Sequence, residues 1–132
     1  MVPLLKWDKK RWSYFKESEF MCKCGCTVNG MDEKTLDLLQ ELRIRCGFAL
    51  MVSSGYRCPK HNDAISSTGL TGPHTTGKAA DLRVDRNKAY HLLKHAMTMG
   101  FSGIGVAQKG AVRFIHVDTI DDGLTRPTVW SY

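Results

Sequence analysis

Three side chains in this sequence have both the chemistry and the setting of metal ligands: His74, Asp81 and His116. Imidazole and carboxylate are zinc donors, and a hydrolytic zinc takes three protein ligands while leaving one position open for water. His74 follows Gly72-Pro73 and sits among Thr and Gly, where a lone histidine is ordinarily solvated. Asp81 alters that balance. It interrupts Ala79-Ala80-Asp81-Leu82-Arg83-Val84, a β-prone run in which alternation sets Ala79, Asp81 and Arg83 on one face. A carboxylate so placed is costly unless it is solvated, paired or metal-bound. His116 lies likewise inside Phe114-Ile115-His116-Val117. Spacing alone leaves two readings open, a facial zinc site and a hydrogen-bonded structural cluster.

The elements that must position these residues can be read from periodicity and punctuation. Asp32 is an N-cap for a helix whose stripe is Leu36, Leu39, Leu42 and Cys46, with Gly47 placed to end it. Ala49 to Ser53 reads as a short buried strand, Ser54 to Pro59 turns out of it, and Pro59 starts a brief helix through Ile65. Ser66 to Pro73 is a loop leading to His74, and Ala79 to Val84 is a second strand. Asp85 caps a second long helix with an apolar face of Ala89, Leu92, Leu93, Ala96 and Met97, ended by Gly100. His91 and His95, four apart on it, have no third donor nearby and read as surface or half-buried residues. Gly103–Ala107 and Ala111–Asp118 form a hairpin about Gln108-Lys109-Gly110. The tail 121–132 carries turn residues before Trp130 and Tyr132, and the aromatic, basic stretch 1–20 reads as an arm packed on the domain surface. The order predicts one α+β domain over 1–132, a small mainly antiparallel sheet backed by helices, with the metal site on the sheet face.

At 132 residues, 42% of them apolar, the chain can bury roughly two-thirds of its unfolded surface without a disulfide or metal. No apolar run approaches the length of a membrane span. Lys6, Asp8, Lys9 and Lys10 stand where an export signal would need an apolar core. The formal charge of +6 favours anionic partners, but the basic residues are scattered and no nucleic-acid motif is present. Five cysteines without an export signal argue for reduced thiols. Cys22, Cys24 and Cys26 alternate, which would set them on one side of an extended segment, while Cys46 and Cys58 are isolated. A structural zinc usually takes pairs spaced by two to four residues, so free, buried or half-buried thiols are expected.

His74-Thr75-Thr76-Gly77-Lys78-Ala79-Ala80-Asp81, read as H-x-x-G-x-A-x-D, resembles the signature of the zinc D-Ala-D-Ala carboxypeptidases, the M15 peptidases. That family includes phage L-alanyl-D-glutamate endopeptidases and shares its fold with the hedgehog signalling domain. Ser53 to Asn62 resembles its S-G-Y-R-x-P-x-H-N segment, and Phe114 to Asp118 resembles the strand of the third ligand in its short members. Glu19 to Cys26 is similar to an opening common in that branch, so the likeness runs from about Phe15 to Asp118. The resemblance implies one zinc per chain on His74, Asp81 and His116. It implies that Arg57 contacts substrate and helps stabilise the tetrahedral intermediate, a task suited to a guanidinium fork. His61 and Asn62 would brace the loop.

Departures from the pattern fall at the general base. Larger relatives place a carboxylate three residues before the third ligand or a histidine two before it, where this chain has Arg113 and Phe114. Asp118, two residues after His116 and so on the same strand face, is the replacement candidate; the competing reading makes it a partner that fixes a histidine tautomer. Gly72 stands where relatives often carry serine. The resemblance implies hydrolysis in the peptide stem of peptidoglycan by a monomeric, endolysin-like enzyme. Such an enzyme is made in the host cytoplasm without its own signal peptide and released to the wall, with no nucleic-acid partner and no membrane insertion. The rival expectation is a catalytically silent zinc domain that binds a wall or protein ligand.

Overall fold

The computed structural model describes residues 5–132. Residues 1–4, the start of the expected N-terminal arm and of the stretch judged unlike an export signal, lie outside the described residues. Three helices and five strands follow in the order α1 (Glu33–Cys46), β1 (Met51–Ser54), α2 (Pro59–Ile65), β2 (Ala79–Arg83), α3 (Arg86–Thr98), β3 (Gly103–Ala107), β4 (Phe114–Asp118) and β5 (Thr128–Ser131). The α+β class and the mainly antiparallel sheet are as predicted.

Helix α1 begins where the Asp32 carboxylate accepts hydrogen bonds from the Thr35 N–H at 3.0 Å and the Thr35 hydroxyl at 2.9 Å. It ends at Gly47, whose φ of 73° lets its N–H return to the Arg43 carbonyl. Between these caps Leu36, Leu39 and Leu42 are fully buried. In α3 the stripe narrows to Ala89, Leu92 and Ala96, with Leu93 half-buried at its border. Met97, expected on the apolar face, is 62% exposed, because a step of one residue from Ala96 rotates it past the edge of the contact.

The sheet order is β1-β2-β4-β3-β5. All pairs are antiparallel except β3 with β5. The β3–β4 hairpin is wider than expected, with β4 starting at Phe114 rather than Ala111. Gln108 explains the boundary: its amide donates to the carbonyls of Val84, Ala107 and Phe114, which closes the strand end with a side chain in place of a ladder. Strand β5 lies in the tail, for which the turn residues before Trp130 and Tyr132 predict no strand. Asp118 at the end of β4 is opposite Gly103 at the start of β3, so the returning chain enters beside Gly103 and runs parallel to β3.

One sheet face, carrying Val52, Ala80, Leu82, Ile104, Ile115 and Val117, joins the leucines of α1 and α3 in a single core. Of the described part of the N-terminal stretch, expected to pack as an arm on the domain surface, Trp12, Phe15 and Phe20 enter this core. Trp12 and Phe20 are fully buried and Phe15 nearly so. Trp12 donates its indole N–H to Asp37 at 2.9 Å, and the Arg11 guanidinium pairs with Asp37 and Glu33, each at 2.7 Å. Among the described residues no helix is long and apolar enough to cross a membrane. The opposite sheet face, at its centre, is left for polar residues.

Candidate metal centre

Strands β2 and β4 pair with Asp81 directly opposite His116 and Ala79 opposite Asp118. Cross-strand partners project to the same face, so the carboxylate and the imidazole meet without any loop. His74 arrives from a short 3-10 turn, Pro73–Thr76, that ends at Gly77. Gly77 has a φ of 75°, and a Cβ there would lie 1.9 Å from the Gly30 carbonyl oxygen. Its own carbonyl accepts from the Asp32 N–H at 2.8 Å, so the glycine of the H-x-x-G-x-A-x-D stretch docks the turn onto the loop that starts α1.

The Asp81 Oδ1 is 3.3 Å from His74 Nε2 and 3.0 Å from His116 Nδ1. Each histidine spends its other nitrogen elsewhere: His74 Nδ1 on the Gly55 carbonyl at 2.8 Å, His116 Nε2 on Asp118 Oδ2 at 2.7 Å. With a metal bound, those outer bonds would keep the N–H on Nδ1 of His74 and Nε2 of His116 and free the inward nitrogens, which otherwise hydrogen-bond to Asp81, as lone-pair donors. One donor atom from each of the three residues lies within 4.8 Å of the others. Two neutral imidazoles and a carboxylate, oriented by hydrogen bonds from behind, are a donor set suited to a zinc with open coordination positions. All three are buried, Asp81 at 8% exposure, so the ion would be shielded except from the cleft above.

The electrostatics fit that use. Burial pushes the Asp81 carboxyl up, but hydrogen bonds from His116 and His74 outweigh it and hold the group below the ordinary carboxylate range. Burial pushes His116 down, while Asp118 and Asp81 raise it more. The Asp118 carboxyl, also desolvated, is nonetheless lowered by His116 and by Arg126. Negative charge is therefore kept on both sides of the His116 ring.

Above the donors lies a cleft of about 490 Å³ whose walls include Arg57, Phe114, Trp130 and Tyr132. Arg57 is anchored by Nε to the Ser54 hydroxyl at 3.0 Å and by Nη1 to the Asn62 amide oxygen at 3.1 Å, leaving Nη2 3.8 Å from Asp81. Asn62, fully buried, also donates to Thr68, so it braces both Arg57 and the cleft rim.

Asp118 stands elsewhere than a proton acceptor in the cleft would. It shares the strand face of His116, as alternation requires, but lies behind the ring, on the nitrogen away from Asp81. It is fully buried, and Arg126 takes both its oxygens in a fork at 2.9 Å and 2.8 Å. That is the arrangement of a group that fixes a histidine tautomer. Phe114, two residues before His116, covers the cleft with its ring against Tyr132, 5.1 Å between centroids.

Arg126, Trp130 and Tyr132 were missed by sequence reasoning. Trp130 places its ring 5.0 Å from that of His116, and the largely exposed Tyr132 lines the cleft beside it. A signal existed in β3. A Cβ on Gly103 would stand 2.2 Å from the Asp118 carboxylate, and one on Gly105 would stand 2.6 Å from the Trp130 indole nitrogen. Two glycines two apart in a strand mark a face that something large must approach.

A mixed α+β domain with a His/Asp/His donor set under an anchored arginine has the equipment of a metal-dependent hydrolase. The family described as Peptidase M15 matches residues 13–118, and the chain belongs to that family. It is accordingly a metallopeptidase by family, one whose members are zinc-dependent and act on peptidoglycan-related substrates. No curated protein matches the chain.

Proposed function

We propose that this chain hydrolyses an amide bond in the peptide stem of bacterial peptidoglycan, as a D-Ala-D-Ala carboxypeptidase or an L-Ala-D-Glu endopeptidase, and that it serves as an endolysin. The observation that carries the reading is the convergence of His74, Asp81 and His116 beneath Arg57 in one cleft. Zinc bound there supplies Lewis-acid polarisation of a carbonyl and a water acidified to near-neutral pKa. The chain's own residues do the rest. His74 and His116, each locked in one tautomer, and Asp81 hold the ion; Arg57 Nη2 meets a stem carboxylate or the developing oxyanion. Phe114, Trp130 and Tyr132 offer aromatic walls and one phenolic donor to the peptide. Asp118 acts by holding His116, not by taking a proton in the cleft. The enzyme would work as a monomer, made in the host cytoplasm and released to the wall, with neither nucleic acid nor a membrane as partner.

One observation favours a second reading. Asp81 is the only carboxylate among the described residues lining the cleft, and as a ligand it is not free to accept a proton. A catalytically silent zinc domain that binds a wall or protein ligand needs no such acceptor. Digestion of purified peptidoglycan, followed by mass spectrometry of the soluble fragments, separates the two. Hydrolysis is expected, abolished by chelation and restored by zinc, with the fragment masses naming the bond cut. Zinc-loaded protein that binds peptidoglycan yet releases no fragment would overturn the enzymatic reading.

A further inference from the structure

Away from the cleft, a second set of donors comes together that the hydrolytic centre does not use. Cys58, isolated in sequence, lies with Cys22, Cys24 and Cys26, and the four sulfurs are all within 4.8 Å of one another. Cys22 Sγ and Cys24 Sγ are 3.4 Å apart and Cys24 Sγ and Cys58 Sγ 3.6 Å. We propose that these four cysteines are a structural zinc site, distinct from the His/Asp/His centre.

The distances discriminate between the uses four cysteines can have. A disulfide requires sulfurs about 2.05 Å apart, and these are free thiols. A zinc–thiolate bond of about 2.3 Å in a regular tetrahedron sets its sulfurs on edges of about 3.8 Å, close to the separations here. The local chain is shaped to that end. Residues 22–26 are not the extended segment their alternation suggests but a run of turns, with Gly25 at φ 93° and Thr27 at φ 57°. The turn brings three sulfurs spaced two apart to one point, where an extended strand would spread the outer two roughly 13 Å apart.

Hydrogen bonding supports thiolates. The Cys58 N–H donates to Cys22 Sγ at 3.3 Å. Four protein sulfurs also complete a tetrahedron, leaving no position for substrate, which is the mark of a structural rather than a catalytic zinc. Its place in the fold says what it would hold. Cys58 caps α2 and follows Arg57; the Tyr56 N–H bonds the Phe20 carbonyl at 2.9 Å, and the Gly55 carbonyl orients His74. The ion would tie the segment after Phe20 to the loop that carries Arg57 and supports His74.

The site stands independently of the hydrolytic reading, and the test treats the two separately. Full-length protein purified under reducing conditions is expected to carry about two zinc ions per chain by elemental analysis. In the His74→Ala/His116→Ala variant one should remain, and its X-ray absorption should report four sulfur neighbours at about 2.3 Å. On the unmodified chain, titration with an organomercurial should release one of the two ions. A Cys24→Ala/Cys26→Ala variant should lose that same ion; if it fails to fold, the two measurements on folded protein still decide. Zinc without sulfur neighbours, four thiols that react without releasing metal, or disulfides found by mass would each overturn the proposal. Iron found in place of zinc would overturn the choice of metal. A sulfur-bound ion with none on the histidines would leave this proposal standing and sink the hydrolytic one.

Discussion

At His116 both ring nitrogens are committed, one toward Asp81 and one to Asp118, and that commitment sorts the roles of the residues around it. Replacing Asp118 by Asn removes the charge that fixes the ring while keeping its shape. Zinc affinity at the His/Asp/His centre is expected to fall about 10–100-fold, read by competition with a chelating dye. A proton acceptor would behave otherwise, losing hydrolysis with affinity intact. Arg126→Ala leaves the buried Asp118 charge without its fork and should cost about 3–5 kcal/mol in urea unfolding. Arg57→Ala should instead retain zinc and stability but lower kcat about 10²–10³-fold, the loss typical of one oxyanion donor. Strand alternation was enough to place Asp118 on the ligand face. It could not say which imidazole nitrogen the carboxylate would meet, because that depends on Arg126, eight residues further on beyond an irregular connection.

Strand β3 shows how an element shapes the site without contributing a ligand. Its glycines at 103 and 105 lie opposite Asp118 and His116, where any side chain would enter the functional face. The two should respond differently to Ala. At Gly103 the added carbon meets a carboxylate pinned by Arg126 and His116, so overpacking of about 1–3 kcal/mol and weaker zinc binding are expected. At Gly105 it meets the indole of the half-buried Trp130, which can swing outward; KM should rise while the urea midpoint changes little. Denaturation, zinc titration and steady-state kinetics on both variants check the contrast. Elements built from local signals were legible in the sequence: α1 from its cap, stripe and terminal glycine, and α2 from Pro59. Strand β5 was not, because it is four residues long, follows Pro127 and owes its existence to a partner strand over twenty residues earlier. Cys58 was hidden for the same reason, being brought to Cys22, Cys24 and Cys26 by the fold and not by spacing. The stretch holding Trp12 and Phe20 reads as an arm packed on the domain surface because the basic residues around them mask a burial that only α1 and the core supply.

Across the whole molecule, the motif stretches are the points where separate parts of the chain lock together. Gly77 docks on the loop before α1, Gly55 holds His74, and Asn62 anchors Arg57 to the cleft rim. The resemblance therefore marked the fold's junctions as well as its donors. The net charge of +6 acts at a longer range. Arg83, Arg86 and Arg113 line a cleft of about 380 Å³ at the end of β2, where Arg83 is two residues from Asp81. Such a basic patch beside the site would draw the protein to an anionic wall, an attraction that salt screens within about 8–10 Å. Raising ionic strength from 0.05 to 0.5 M should therefore slow release of fragments from intact wall several-fold, while hydrolysis of a small soluble stem peptide changes little. Arg83→Glu/Arg113→Glu should reproduce the loss on intact wall at low salt, flatten its salt dependence and spare the peptide. Equal salt sensitivity on both substrates would instead place the charge effect in the cleft itself, at Arg57 and its contact with the stem carboxylate.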